Sequence, residues 1–145
     1  MKRMRGFTMV ELLITMAVIA ILGALAVNSY RKSVIEAHRS DAWAALLQIQ
    51  AAEERWFLQN GTYTTDVADA PPTGLGIGST TQSGGYYTLS VAADTTTLAT
   101  NTIANSYIAT ATATGSQAND LSTCLTYTVN TLGSRTPADS TGCWK

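Results

Sequence analysis

Few side chains in this sequence are placed to do chemistry, and the most distinctive is a lone carboxylate. Glu11 stands at the head of an apolar run, directly after a short segment carrying Lys2, Arg3 and Arg5. A charged group at hydrocarbon depth costs roughly 2.5 to 3.5 kcal/mol, so an acid kept there has a task in binding or assembly. Cys124 and Cys143 are the second reactive pair. His38 lies among Glu36, Arg39 and Asp41 and reads as a solvated helix residue, with Glu36 and Arg39 as a weak i, i+3 ion pair. No Ser/His/Asp set, phosphate loop or pair of catalytic carboxylates can be assembled from the remainder, so neither enzyme function nor a cofactor is expected.

The element that carries Glu11 is long and apolar. Leu12 to Tyr30 is 19 residues without Asp, Glu, Lys or Arg, which as a helix spans roughly 28 Å, close to a hydrocarbon core. The preceding cations hold the amino end in the cytoplasm and send the rest across. A permanent anchor, a cleaved secretory signal and a buried core helix all fit a run of this kind. Ala24-Leu25-Ala26 is an acceptable signal-peptidase site. Glu11 and the continuation of the helical pattern past Tyr30 stand against the secretory reading.

No proline occurs between Met1 and Ala70, and Ala, Leu, Glu, Gln and Arg dominate from Ser33 to Gln59. Ile35, Ala42, Leu46, Ile49 and Trp56 recur at helical spacing, with Trp43 and Phe57 at the edges of the stripe. A continuous helix from Phe7 to Gln59 would reach about 80 Å, ended by Asn60-Gly61 as a C-cap. The cap also explains why Asn60-Gly61-Thr62, formally a glycosylation sequon, stands where it does. Fewer than ninety residues follow, too few to bury such a helix. Its first half is expected to project, apolar, into lipid or into neighbouring copies.

Beyond Gly61 the period changes. Thr62 to Gly85, with Pro71, Pro72 and several glycines, reads as an extended connection with turns. Tyr86–Val91, Ser106–Ala113 and Leu125–Asn130 read as strands, and Thr95–Thr102 as a weaker fourth. The connections are too short for helical crossovers, so an antiparallel sheet with one face on the second half of the helix is expected, an α+β fold. Threonine on the other face reads as β-propensity without charge. In an exported chain an even cysteine count favours a Cys124–Cys143 disulfide, which would add about 3 kcal/mol by loop closure. Metal binding is the alternative, and a single histidine without a Cys-x-x-Cys pair argues against it.

Composition follows from this division. Hydrophobic residues make up 46% and charged residues 13% of the chain, and the formal net charge is −1, which excludes a charge-solvated disordered chain and a binder that works by overall basicity. From Thr62 onward only Arg135 and Lys145 face five aspartates. A nucleic-acid ligand is therefore disfavoured, and a patch of Arg135, Lys145 and the stacking ring of Trp144 is the one place where such a contact could form.

Gly6-Phe7-Thr8-Met9-Val10-Glu11, between a basic leader and an apolar run, resembles the processing site of type IV prepilins. Ala44-Ala45-Leu46-Leu47, Glu54-Arg55-Trp56-Phe57 and Asn60-Gly61-Thr62-Tyr63, with the closing Cys143-Trp144, resemble the PilE-like minor pilins. The resemblance implies that residues 1–6 are a leader, removed by a prepilin peptidase between Gly6 and Phe7, and that Phe7 is N-methylated. It implies residues 7–30 as a membrane and assembly helix, 31–60 as an amphipathic half, and 61–145 as a globular domain with a disulfide loop over 124–143. The chain would sit in the bacterial inner membrane, amino terminus cytoplasmic, and then pass into an extracellular fibre with other pilin subunits.

The same resemblance gives Phe7 and Glu11 a role in assembly. The Phe7 amine of one subunit would neutralise the Glu11 carboxylate of a neighbour, so that only the correct stagger satisfies both charges. Two positions depart from the family pattern: Asn28 and Ala20 stand where many pilins have a helix-breaking proline and a glycine, with Gly23 displaced. A helix without that proline keeps its backbone hydrogen bonds. The expected function is that of a PilE-like minor pilin in fibre assembly, adhesion and twitching motility. A major pilin, a DNA-uptake receptor pilin and a type II secretion pseudopilin are the alternatives.

Overall fold

Helix formers without proline run unbroken through the first sixty residues, and they form one helix, α1, Met9–Asn60. The computed structural model describes residues 7–138 and 141–144. The chain divides into two compact units, residues 1–34 and 35–145. In the first unit all described side chains from Phe7 to Ser33 are exposed. Gly61 closes α1 as expected: its N–H donates to the Phe57 carbonyl at 2.8 Å, and its φ of 69° is a left-handed value that glycine adopts without steric cost.

The second unit has its own core. Ala42, Ala45, Leu46 and Ile49 of α1 are buried with the sheet residues, whereas Ile35 and Trp56 of the expected stripe are half-buried. Four antiparallel strands follow in the order β1 Tyr87–Ala93, β2 Tyr107–Ala113, β3 Thr126–Asn130 and β4 Arg135–Thr136. Strict alternation in β1 buries Tyr87, Leu89 and Val91 and turns Thr88 and Ser90 outward. β2 and β3 contribute Tyr107, Ala109, Ala111, Tyr127 and Val129 to the same inner face. A long helix on a small antiparallel sheet is the expected α+β fold.

One strand is corrected. Thr95–Thr102 forms the turn between β1 and β2, and the fourth strand is instead Arg135–Thr136. The Thr95–Thr102 segment has no apolar face to bury, and Leu98 is exposed. It is held by Asp94, whose carboxylate accepts from the Thr96 amide at 2.9 Å and from the Thr96 hydroxyl, while Asn101 Nδ2 donates to the Asp94 carbonyl at 3.0 Å. An aspartate bonded to the backbone two residues on makes a turn that competes with a ladder.

Cys124 and Cys143 are bonded to each other, with their Cα atoms 5.4 Å apart. The bridge ties the start of β3 to the carboxyl-terminal loop, where Tyr127 Oη donates to the Cys143 carbonyl at 3.3 Å.

Candidate assembly helix and polar locks

At the amino end, Thr8 caps α1. Its Oγ1 accepts from the Glu11 amide at 3.2 Å, and its carbonyl accepts from the Leu12 amide. Thr-x-x-Glu is the spacing of a capping box, and an acid in the first turn suits the helix dipole. The sequence pattern at Thr8 and Glu11 thus has a local role as well as the one the resemblance implies. The Glu11 carboxylate has no partner among the described residues. Around it Phe7 is 82% and Met9 85% exposed, and the apolar surface continues through Leu12, Leu13, Ile19, Leu22 and Leu25. Gly6, on the other side of the expected cleavage point, lies outside the described residues.

In the second unit the apolar stripe of α1 holds two charged residues. Arg39 and Glu53 are buried on the face that carries Ala42, Leu46 and Ile49. Arg39 pairs with Asp120, not with Glu36 as its main partner: Nε is 2.8 Å and Nη2 2.6 Å from the two carboxylate oxygens. Gln117 Nε2 donates to the Ile35 carbonyl at 2.9 Å and to Asp120 at 3.2 Å. The Asp120 hydrogen bonds hold the Arg39 guanidinium above its ordinary pKa against the opposing effect of burial. Burial alone would raise the Asp120 carboxyl, but the bonds from Arg39, the Leu121 amide and Gln117 outweigh it and hold it below the usual carboxylate range.

Glu53 is different, because no cation among the described residues meets it. Oε2 accepts from the Thr64 amide at 3.1 Å, Oε1 is buried without a partner, and burial pushes the carboxyl up to about 7 against the bond from Thr64. The signal for both residues was in the sequence. Ile35, Arg39, Ala42, Leu46, Ile49 and Glu53 step by four, three, four, three and four, so a charge of each sign falls on the stripe itself.

His38 is also more engaged than a solvated residue. It is half-buried, its Nδ1 lies 3.0 Å from Asp41 Oδ2, and its ring stacks on Tyr86 at 3.7 Å. Arg135 lies over the Trp43 ring at 4.6 Å and beside Trp144 at 5.7 Å. Trp144 Nε1 donates to the Pro137 carbonyl and packs edge-on to Tyr127. Of the patch considered for nucleic acid, Arg135 and Trp144 are thus together, while Lys145 lies outside the described residues. No group of three metal-ligating side chains occurs among the described residues.

Residues 28–128 match the family model described as type IV minor pilin ComP, DNA uptake sequence receptor. The chain belongs to that family of type IV minor pilins. Residues 1–27 of the pilin match the prokaryotic N-terminal methylation motif, the segment that holds Gly6, Phe7 and Glu11. Its sequence is similar to the type IV major pilin protein PilA of Myxococcus xanthus (strain DK1622), 32% identical over 75 residues. That match covers 50% of this chain and 34% of the relative, so the pilin spans about a third of that protein's length. Its fold is similar to a type IV pilin from Shewanella oneidensis, with a TM-score of 0.50 and 25% identity over 77% of this chain and 98% of that one. The pilin is a structural protein by family.

Proposed function

We propose that this pilin works as a PilE-like minor subunit of a type IV pilus, anchored in the inner membrane by residues 7–30 and bundled through the same residues after assembly. The observation that carries the proposal is the uncovered apolar surface from Phe7 to Tyr30, in which the Glu11 carboxylate lacks a partner among the described residues. Exposed apolar surface on this scale calls for lipid or a protein partner. A prepilin peptidase cuts between Gly6 and Phe7, and the new Phe7 amine is N-methylated. That amine then meets Glu11 of a neighbouring subunit, and charge neutralisation sets the stagger. Residues 31–60 and 61–145 form the part exposed on the fibre, where adhesion and twitching motility would draw on it.

The test is the amino-terminal residue of the mature protein in purified fibres, read by mass spectrometry. N-methyl-Phe7 is expected. Val27 would revive secretory cleavage after Ala26 and overturn the reading.

A second reading, a receptor for DNA, is favoured by the family match over residues 28–128. The charge balance weighs against it, since the Arg135 guanidinium already sits on aromatic rings and aspartates outnumber cations beyond Thr62. Binding carried by phosphate contacts falls steeply with salt. Mobility-shift titrations of the full-length protein with duplex DNA at rising salt decide it: a salt-dependent shift that weakens in Arg135→Ala supports the receptor, and no shift at low salt removes it.

A further inference from the structure

Two of the three cross-strand rows on the outward face of the sheet are hydroxyls, and the third, Ala92, Ile108 and Asn130, bounds them at the far end of β1. The strand registers align Thr88, Thr112 and Thr126 in one row across β1, β2 and β3. They align Ser90, Thr110, Thr128 and Thr136 in a second row that reaches β4. Neighbouring strands lie about 4.8 Å apart, and same-face residues along a strand are about 6.8 Å apart, so the hydroxyls stand on a regular grid. Thr88, Ser90, Thr112, Thr126 and Thr136 are exposed, and Thr110 and Thr128 half-buried.

These groups are not consumed by the fold. Thr128 and Thr136 bond to each other at 2.6 Å. The other five hydroxyls have no side-chain partner among the described residues. No outward position of the four strands carries a charge, because the one charged strand residue, Arg135, pairs with inward-facing Val129 and lies over Trp43. No outward position carries an aromatic ring either.

We propose that this face binds a neutral polysaccharide chain laid across the strands. A hydroxyl both donates and accepts, so a grid of hydroxyls matches a polymer whose own surface is hydroxyls and offers no compensating charge to a polyanion or polycation. With no ring for a sugar face to stack on, hydrogen bonds alone would carry recognition. The right-handed twist of about 20 to 25° per strand bends each row. A flexible chain can follow that bend, whereas a flat crystalline surface cannot, so amorphous polymer is the favoured form. This rests on the sheet face alone and is independent of how the pilin is processed or assembled.

The experiment is retention of the full-length protein, in detergent micelles, on amorphous cellulose and on insoluble dextran, at low and at high salt. The row variant Thr88→Val/Thr112→Val/Thr126→Val keeps the branched shape and removes three hydroxyls. Thr100→Val, in the β1–β2 turn, is the control. Retention of the parent protein that does not change with salt is expected, with a loss of about fivefold per hydroxyl removed in the row variant and none in the control. An unchanged melting temperature shows that the row variant is folded; if it is not, Ser90→Ala and Thr112→Val alone give the same readout. No retention of the parent, or equal retention of the folded row variant, overturns the proposal. So do row-dependent self-association without retention, which assigns the face to a second copy, and salt-sensitive displacement by DNA.

Discussion

The Arg39 guanidinium grips both oxygens of Asp120, 81 residues away in sequence, through Nε and Nη2. The side chains are 4% and 3% exposed, so the pair is dry. Breaking one partner of a buried ion pair leaves the other charge uncompensated and costs about 3 to 5 kcal/mol. Asp120→Asn is expected to lower stability by that order, with Arg39→Met less damaging than Arg39→Ala because its stem still fills the stripe. Thermal or denaturant unfolding of the full-length protein in detergent measures both.

The pair also has a pH signature. The folded-state pKa of Asp120 lies below its ordinary value, so its stabilisation is present above the unfolded-state carboxylate range and is lost as pH falls through the folded value. The parent protein is expected to lose stability on acidification from about pH 4 downward, and Asp120→Asn to lose less over that window. Equal acid sensitivity of the two proteins would contradict this.

Glu53 works in the opposite sense. With its carboxyl at about 7, against an ordinary 4.5, the folded state keeps a proton that the unfolded state releases. Its contribution is complete below the unfolded value and is lost as pH rises through about 7. Glu53→Gln keeps an acceptor for the Thr64 amide and carries no charge. It is expected to stabilise the protein by about 2 kcal/mol at pH 8 and by little at pH 4. Unfolding midpoints at both pH values, compared with the parent, give the answer.

These two residues mark where the sequence was legible and where it was not. The long helix, its Gly61 stop and three strands follow from periods that local residues impose, and Tyr87, Leu89 and Val91 alternate as β1 requires. The cysteine pairing was readable because only two cysteines exist. Arg39 and Glu53 stand on the apolar stripe at helical spacing, but their partners, Asp120 and the Thr64 amide, are set by loops with no period of their own. The Thr95–Thr102 turn was misread for a related reason: threonine favours strands, and the aspartate that tied it into a turn acted through side-chain bonds. The hydroxyl rows needed strand register, which no single segment contains.

Reduction of the Cys124–Cys143 bridge should loosen the carboxyl-terminal loop. A loop of this size corresponds to about 3 kcal/mol, and the Tyr127 bond to the Cys143 carbonyl depends on the same loop. Cys124→Ala/Cys143→Ala is expected to lower the melting temperature while the Arg39–Asp120 contribution persists. A double-mutant cycle with Asp120→Asn measures how far the two locks are coupled. Because Arg39 Nη1 also reaches the Gly142 carbonyl at 3.4 Å, a coupling above about 0.5 kcal/mol is expected rather than simple additivity.

Glu11 separates a local role from an assembly role. Thr8 caps the Glu11 amide through its hydroxyl, and that bond does not need the Glu11 side chain. Glu11→Gln keeps the size, the helix and the capping reach and removes only the charge, whereas Glu11→Ala keeps the helix and removes the size, the capping reach and the charge. If the carboxylate serves the capping box alone, Gln should behave like the parent, since Glu and Gln both suit that position. If it neutralises the Phe7 amine of a neighbour, both variants should be processed normally and both should enter fibres poorly. The amount of each variant in sheared fibres, set against the processed form in the membrane, distinguishes the two. Normal incorporation of Glu11→Gln would reduce Glu11 to a helix cap and leave the register of the bundle to apolar packing.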